Sequence, residues 1–488
     1  MGQMAHGKTR AILLFTLGFS LIFSSLSSSA ATYPAVQLIL HDPTVKTAPT
    51  DKCDSLGCKS LKSLIDSAKS SIDIAVYGTR KQTDLLESIK KAKARGVKVR
   101  VVMNKDTSGK NYYSDSMLWA NSIGNVVYDY ESELRLNKKE YPFYKQPKCP
   151  RPKGFAGPLQ CMAFDAGDRW IIAGHASVDN FVADDEENNT KDRIMHNKFF
   201  IIDNQIIWTG SANISDSDVG GYSANTMVII RSKEVAAAYT KEFEQMYAGK
   251  FHAEKVKSDQ RTYNVEGTPV RVLFSPRDFP MKKSVQKVIR QANTSIYASV
   301  FYLTNKYVAA DLIKAKQRGV DVRIIVDATS AENGYSKHEI LREVGIPVKV
   351  ENWGGKMHSK SMVADGKYIV AGSMNWTTAG DSVNDENTLV IESTTLGKQY
   401  EQYFNKIWKS VPDKWLKQRP APESLDSKNS CFDGSDNDFD SKVDQKGTMK
   451  FQPDDGCFGK AKLTPLPGHK VVLKSKSPQP PTGYRLVE

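Results

Sequence analysis

Two stretches of the chain place a histidine and a lysine two residues apart, with further polar residues at matched distances. The first reads HNKFFIID, six residues, then GSAN, giving His196, Lys198, Asp203, Gly210, Ser211 and Asn213. The second reads HSKSMVAD, six residues, then GSMN, giving His358, Lys360, Asp365, Gly372, Ser373 and Asn375. A further asparagine lies 29 residues after each histidine, Asn225 in NTMVI and Asn387 in NTLVI. In an extended strand, residues i and i+2 project from the same face, so each stretch sets an imidazole beside an ammonium. The apolar FFII after Lys198 suits a buried strand. A turn (DNQ in one stretch, DGK in the other) returns a second strand carrying a hydroxyl and an amide to the same surface. Such a set suits a phosphate: cation and donors for its oxygens, imidazole for its phosphorus or its leaving group.

One stretch supplies one imidazole. Cleaving a phosphodiester through a covalent intermediate needs two, a neutral histidine as nucleophile and a protonated one as general acid. Two copies related by a pseudo-two-fold axis would face both across a single phosphate. Lys198 and Lys360 would then neutralise the non-bridging oxygens, a task given elsewhere to a divalent metal. No aspartate cluster beside either motif points to a metal.

The elements that must position these residues are repeated as well. Leu61, Leu64, Ile65 and Ala68 mark one helix face, SIDIAVYG follows with strand-like alternation, and Leu85, Leu86, Ile89 and Ala92 mark a second helix. Gly96 ends that helix, and the β-branched run in RGVKVRVVM is a strand. The second copy runs from VQKVIRQANTSIYASVFYL to KAKQRGVDVRIIVD, and KAKARGVKVRVV matches KAKQRGVDVRII directly. This alternation predicts an α/β fold with a mostly buried sheet in each copy. Gly96 to His196 spans 100 residues, against 39 from Gly319 to His358, so the first copy carries an insertion within about 107–190. The insertion is rich in aromatics, including Tyr112, Tyr113 and Trp119, and reads equally as a substrate-shaping lid or as a surface elaboration.

The paired motifs resemble those of the phospholipase D superfamily, HxKx4D followed by GS-x-N, and the repeats carrying them cover most of residues 60–410. The resemblance implies two phospholipase D-type α/β sandwich domains, over 31–250 and 251–415, related by a pseudo-two-fold axis with one shared active site. It implies a phosphohistidine intermediate and no cofactor for catalysis. His196 and His358 would be nucleophile and acid, and analogy with relatives that attack with the N-terminal motif favours His196 as nucleophile. Lys198, Lys360, Asn213 and Asn375 would bind phosphate, with Ser211 and Ser373 beside them. Asp203 and Asp365 would orient the catalytic segments, and Asn225 and Asn387 would support them.

The 488 residues carry a formal net charge of +13, which favours anionic partners without choosing among them. Lys8 and Arg10, the apolar run AILLFTLGFSLIFSS and the small residues up to Ala30 read as a signal peptide over 1–30, and so as a secreted or periplasmic protein. Six cysteines in an exported chain suggest disulfides. Fifteen pairings exist, and 53–58, 149–161 and 431–457 each close a short loop. Zinc is the rival, without a CxxC pair to support it.

From about residue 416 the composition changes. RPAPES reads as a linker, and the last residues as a Pro- and Lys-rich tail. Between them, over 431–457, Asp436, Asp438, Asp440 and Asp444 alternate like an oxygen-ligand loop for calcium. The loop departs from the EF-hand at Ser441 and Gly447, so a disulfide-closed acidic turn is the other reading. For the whole chain the leading expectation is hydrolysis of phospholipid headgroups to phosphatidic acid at a membrane surface by a monomer. The alternative is a metal-independent endonuclease, which the second half also resembles. A non-catalytic module for anionic surfaces is the third class.

Overall fold

The fold follows from the repeat. In the computed structural model the described residues are 33–105, 113, 115–130, 160–164, 169–173, 193–438, 457 and 471–475, with backbone alone for 130, 160–164, 169–173 and 471–475. The described residues from Ala35 onward form one compact unit. Its first copy builds a seven-stranded sheet in the order Val36–Leu40, Thr226–Arg231, Ile206–Gly210, Lys198–Ile202, Ser71–Val76, Lys98–Lys105, Val126–Tyr130. The second builds an eight-stranded sheet. Its order is Thr262–Val265, Thr268–Ser275, Glu386–Glu392, Tyr368–Gly372, Lys360–Ala364, Ser295–Val300, Asp321–Val326, Val348–Val350. Apart from the added strand Thr262–Val265, the two orders correspond strand for strand.

Each motif strand lies in the middle of its sheet. Lys198–Ile202 and Lys360–Ala364 are buried at every position, as expected of strands covered on both faces. On the outer faces lie Leu56–Ser67 and Thr83–Ala94 in the first copy, and Gln286–Gln291 and Lys306–Gln317 in the second. Between the sheets runs a shared core in which Phe199, Tyr239 and Phe243 of one copy join Leu389, Tyr400 and Phe404 of the other. The helices Lys233–Tyr247 and Thr394–Ser410 supply much of that core. Ser232 and Ser393 start them alike, each hydroxyl accepting the N–H three residues on.

Two sequence expectations change. The helix Ser116–Ile123 and strand Val126–Tyr130 fell inside the expected insertion, yet they have counterparts in His338–Glu343 and Val348–Val350. They belong to the repeat, and the difference in length is taken up after Tyr130. Motif spacing measures the size of an insertion but not its start. The RPAPES stretch is packed against the second copy rather than free: Arg419 pairs with Glu332, and Glu423 and Ser424 are buried. Cys53–Cys58 and Cys431–Cys457 are disulfide-bonded as expected, while the 149–161 pairing lies outside the described residues.

Candidate active site

The histidines sit where the two sheets pack against each other, at the entries to their motif strands. The segment ending in His196 pairs with the one entering Glu386, and the segment ending in His358 pairs with the one entering Asn225. Met195–Asp385 and Ala224–Met357 are the bridges. The His196 N–H donates to the Asp385 carbonyl at 2.9 Å, and the Ala224 N–H to that of Lys356 at 2.8 Å. Gly210 and Gly372 let the GS-x-N turns close against these segments. A Cβ at Gly210 would lie 2.2 Å from the Thr226 carbonyl oxygen, and one at Gly372 2.2 Å from that of Asn387.

Both copies hold their lysine in the same way. Lys198 donates to the carbonyl of His196 at 2.7 Å, and Lys360 to that of His358 at 2.6 Å. Each ammonium lies near an aromatic face, 5.3 Å from the Tyr77 centroid and 4.7 Å from the Phe301 centroid. The same two rings pack against His196 and His358, with centroids 4.9 and 5.0 Å apart. Tyr77 and Phe301 occupy matching positions after their strands.

The carboxylates that fix the imidazoles cross between copies. Both oxygens of Glu386 lie 2.8 Å from His196 Nδ1. His358 Nδ1 lies 3.2 Å from Asn225 Oδ1 and 3.5 Å from Asp218 Oδ2. Asp218 in turn accepts from the Asn213 amide at 2.8 Å and from Asn225 at 3.2 Å. Asp218 and Glu386 were not anticipated. The position matching Glu386 is Ala224 and the position matching Asp218 is Gly380, so comparison of the copies hides both. Tyr77, Phe301 and Asp218 carried no signal of their own, whereas Glu386 adjoins the asparagine already singled out.

Burial sets the electrostatics. It pushes Lys198 down to about 7, against the attraction of Glu386 and Asp218. Burial and then the charge of Lys198 hold Lys360 well below its ordinary value. His358 is lowered to about 3, chiefly by burial, and His196 well below its usual value by burial and then by Lys198, Lys360 and His358. Burial raises Glu386 to about 8. Two ammonium groups crowded in a dry cage repel each other, and a phosphodiester anion between them would restore their charge.

The other expected site residues are placed as follows. Ser211 donates to Asn225 Oδ1 at 2.7 Å and Ser373 to Glu386 Oε2 at 2.6 Å. Their hydroxyl protons therefore hold the groups that hold the imidazoles, rather than a phosphate. Asn213 gives its amide protons to Asp218 and to the Tyr113 hydroxyl, the latter at 2.7 Å, and Asn375 stands half-buried at the matching point. Asn387 accepts from Thr209 at 2.9 Å and donates to Asn197 at 3.0 Å, tying the copies together without touching His196. Asp203 and Asp365 do not join the cage. Asp203 accepts the N–H groups of Lys69, Ser70 and Ser71, and Asp365 those of Asn293, Thr294 and Ser295. Each clamps the entry to the strand beside its motif strand. Of the expected calcium ligands, Asp436 and Asp438 converge with buried Glu423, the three carboxylates lying within 4.8 Å of one another. Asp440 and Asp444 lie outside the described residues. Glu423 also accepts the Asn437 N–H at 2.6 Å, so it serves the fold of this segment directly.

Two sandwiches sharing one cage of paired histidines and lysines define a phospholipase D-type protein. Residues 61–247 and 285–408 match the domain described as cardiolipin synthase, PLD-like domain, and the chain belongs to that phospholipase D-like family. It is 33% identical over 120 residues to a phospholipase D of Rickettsia felis, covering 25% of this chain and 60% of that protein. It is 32% identical over 117 residues to a mitochondrial cardiolipin hydrolase of Chlamydomonas reinhardtii, covering 24% of this chain and 52% of the relative. The chain thus spans little more than half the length of these relatives. The phosphatidylserine synthase structure from Haemophilus influenzae shares the fold, at 13% identity and a TM-score of 0.50, covering 78% of this chain and 87% of that one.

Proposed function

We propose that this chain is an exported phosphodiesterase that hydrolyses phospholipids at the headgroup, leaving phosphatidic acid, through a phosphohistidine intermediate. The observation that carries this reading is the cage itself, with His196, Lys198, His358 and Lys360 buried together and each imidazole fixed by a carboxylate from the other copy.

With Lys198 and Lys360 charged around a bound phosphodiester, their attraction favours ionised Glu386, which then holds the proton on His196 Nδ1 and leaves the Nε2 lone pair free for phosphorus. Lys198 and Lys360 hold the non-bridging oxygens. A bound phosphodiester anion adds to the pull of Asp218 and favours the charged form of His358, which burial and the lysines disfavour in the free protein. Nε2 attacks, the P–O bond to the leaving alcohol breaks, and protonated His358 gives that oxygen its proton. His358, now neutral, takes a proton from water as the water oxygen attacks phosphorus. The P–N bond then breaks and His196 is regenerated. The positive charge on the phosphorylated imidazole falls beside Glu386, the stronger of the two imidazole partners. His358 has a neutral amide at 3.2 Å and a carboxylate only at 3.5 Å. This asymmetry supports His196 as the nucleophile.

The lipid reading is supported by the relatives named as phospholipase D and cardiolipin hydrolase and by the basic charge of the chain. The leader-like residues 1–30 support export, and no helix among the described residues is long and apolar enough to cross a membrane. Each copy supplies half of the cage, which supports a monomer as the working unit. Cleavage of nucleic acid is the alternative, since a phosphodiester is recognised by the same cage.

The test is a parallel assay of residues 31–488 in EDTA, on mixed phospholipid vesicles and on single- and double-stranded DNA and RNA, with His196→Ala and His358→Ala as controls. Headgroup release with phosphatidic acid, lost in both variants, is the expected result. Cleavage of nucleic acid alone would replace the lipid reading with a nuclease. Binding without turnover would point to the non-catalytic module.

A further inference from the structure

The second copy's approach to His358 carries a support that comes from outside the family domain. The segment Asn352–Lys356 leads directly into Met357 and His358. It pairs with the chain after residue 420. The Lys428 N–H donates to the Asn352 carbonyl at 2.8 Å, and the Gly354 N–H to that of Lys428 at 2.6 Å. Lys356 donates from Nζ to the Asn437 carbonyl and, at 2.5 Å, to the Thr329 hydroxyl.

The same segment reaches the first copy. The Tyr222 hydroxyl donates to Asp433 Oδ2 at 2.6 Å. Tyr222 stands three residues before Asn225, whose side chain meets His358. Ala224, between them, pairs with the carbonyl of Lys356. Asp433 and Asn437 are joined at 3.1 Å, so the contacts to Tyr222 and Lys356 come from one unit. The Cys431–Cys457 disulfide closes this unit, with both cysteines buried.

The fit depends on Gly354. A Cβ there would lie 2.0 Å from the Tyr222 hydroxyl and 2.8 Å from Asp433 Oδ2. The matching positions of the first copy, three and four residues before His196, are Arg193 and Asp192 instead of Gly355 and Gly354. The glycines that admit this fit are thus found in the second copy's sequence and not at the matching positions of the first.

We propose that the segment Glu423–Asn437 is a positioning part of the catalytic centre, holding Tyr222 and Lys356 and through them the imidazole of His358. Lys356 brings its charge to bear on His358, and Tyr222 fixes the strand entry that carries Asn225. The segment lies beyond residues 61–247 and 285–408, so the domain repeat alone leaves the His358 half-site without this support. The proposal rests on the reading of His196 and His358 as the reacting pair.

The test uses the full mature chain and bis(p-nitrophenyl) phosphate. Tyr222→Phe removes one oxygen, Asp433→Ala removes its acceptor, and Asp433→Asn keeps an acceptor without the charge. Both of the first two variants are expected to lower kcat about three- to tenfold, with KM within about twofold of wild type, because misplacing a reacting group costs rate rather than binding. Asp433→Asn is expected to recover at least half of the loss. Should Asp433→Ala fail to fold, Tyr222→Phe carries the test alone. An unchanged kcat in Tyr222→Phe would overturn the proposal, and so would a raised KM at unchanged kcat, which would make the segment a substrate contact. His196→Ala and His358→Ala serve as separate controls: turnover surviving in either overturns the reading of the reacting pair itself.

Discussion

Glu386 of the second copy grips His196 of the first, with both carboxylate oxygens 2.8 Å from Nδ1, while Ser373 donates to the same carboxylate from behind. With Glu386 ionised, this relationship fixes the tautomer of His196, the proposed nucleophile. Glu386→Gln keeps the size but cannot take on the negative charge that would offset the phosphorylated imidazole. It is expected to lower kcat by about 10²-fold or more, on the scale of removing the orienting carboxylate from a catalytic triad. Steady-state rates at saturating substrate measure it. A loss of less than about threefold would remove Glu386 from the mechanism.

The lysine pair predicts the alkaline side of the pH profile. In the free protein Lys198 loses its proton near 7, because burial disfavours the ammonium. The cation that captures a phosphodiester is therefore present below that pH and lost above it. Since kcat/KM reports the free protein, it should fall as pH rises through about 7. A profile flat from about pH 6 to 9 would show that Lys198 stays charged.

Asp203 and Asp365 are predicted to matter for stability rather than rate. Each gathers three backbone N–H groups at a strand entry, at the surface of its copy. Asp203→Ala should cost about 1–2 kcal/mol of unfolding free energy, the size of a lost cap, and leave kcat within about threefold. Urea titration and a rate assay on the same sample decide it. A severe loss of kcat in a folded variant would return Asp203 to the chemistry.

A buried cluster behind Glu386 predicts a second pH effect. The His252 ring lies 2.9 Å from Asp129 and 3.2 Å from Asp385, and Lys255 lies 2.7 Å from Asp385. Burial works against a charged imidazole here, but Asp385 and Asp129 outweigh it and raise its pKa. A raised folded-state pKa means stability fully present below the unfolded value, about 6.5, and lost as pH rises through the folded value. His252→Gln should be destabilised by about 3 kcal/mol at pH 6, since it removes the imidazolium from between buried Asp129 and Asp385, and the gap to wild type should narrow at higher pH. Unfolding titrations at several pH values measure the gap, and a gap that widens with pH contradicts the assignment.

Much of the architecture was legible before folding was considered. The i, i+2 spacing of His196 and Lys198, and of His358 and Lys360, could be read because strand side chains alternate over a few residues. The helix faces around Leu61 and Leu85 followed from their period, and the shared fold from the match between KAKARGVKVRVV and KAKQRGVDVRII. The start of the insertion and the packing of the RPAPES stretch were not legible. Composition marks where a helical or strand pattern stops, not whether irregular chain finds a surface to cover.

The sequence by itself named the candidate reacting groups, because two copies of a local pattern name the same residue types twice. Tertiary structure alone decided what holds those groups. His196 and Glu386 are 190 residues apart in the chain, and the carboxylate at His358 comes from a position that is glycine in the other copy. Periodicity and motif spacing act within one strand or turn. A contact across the pseudo-two-fold axis depends on how the two sheets pack against each other, and nothing local in either copy encodes which residue will face the other's histidine.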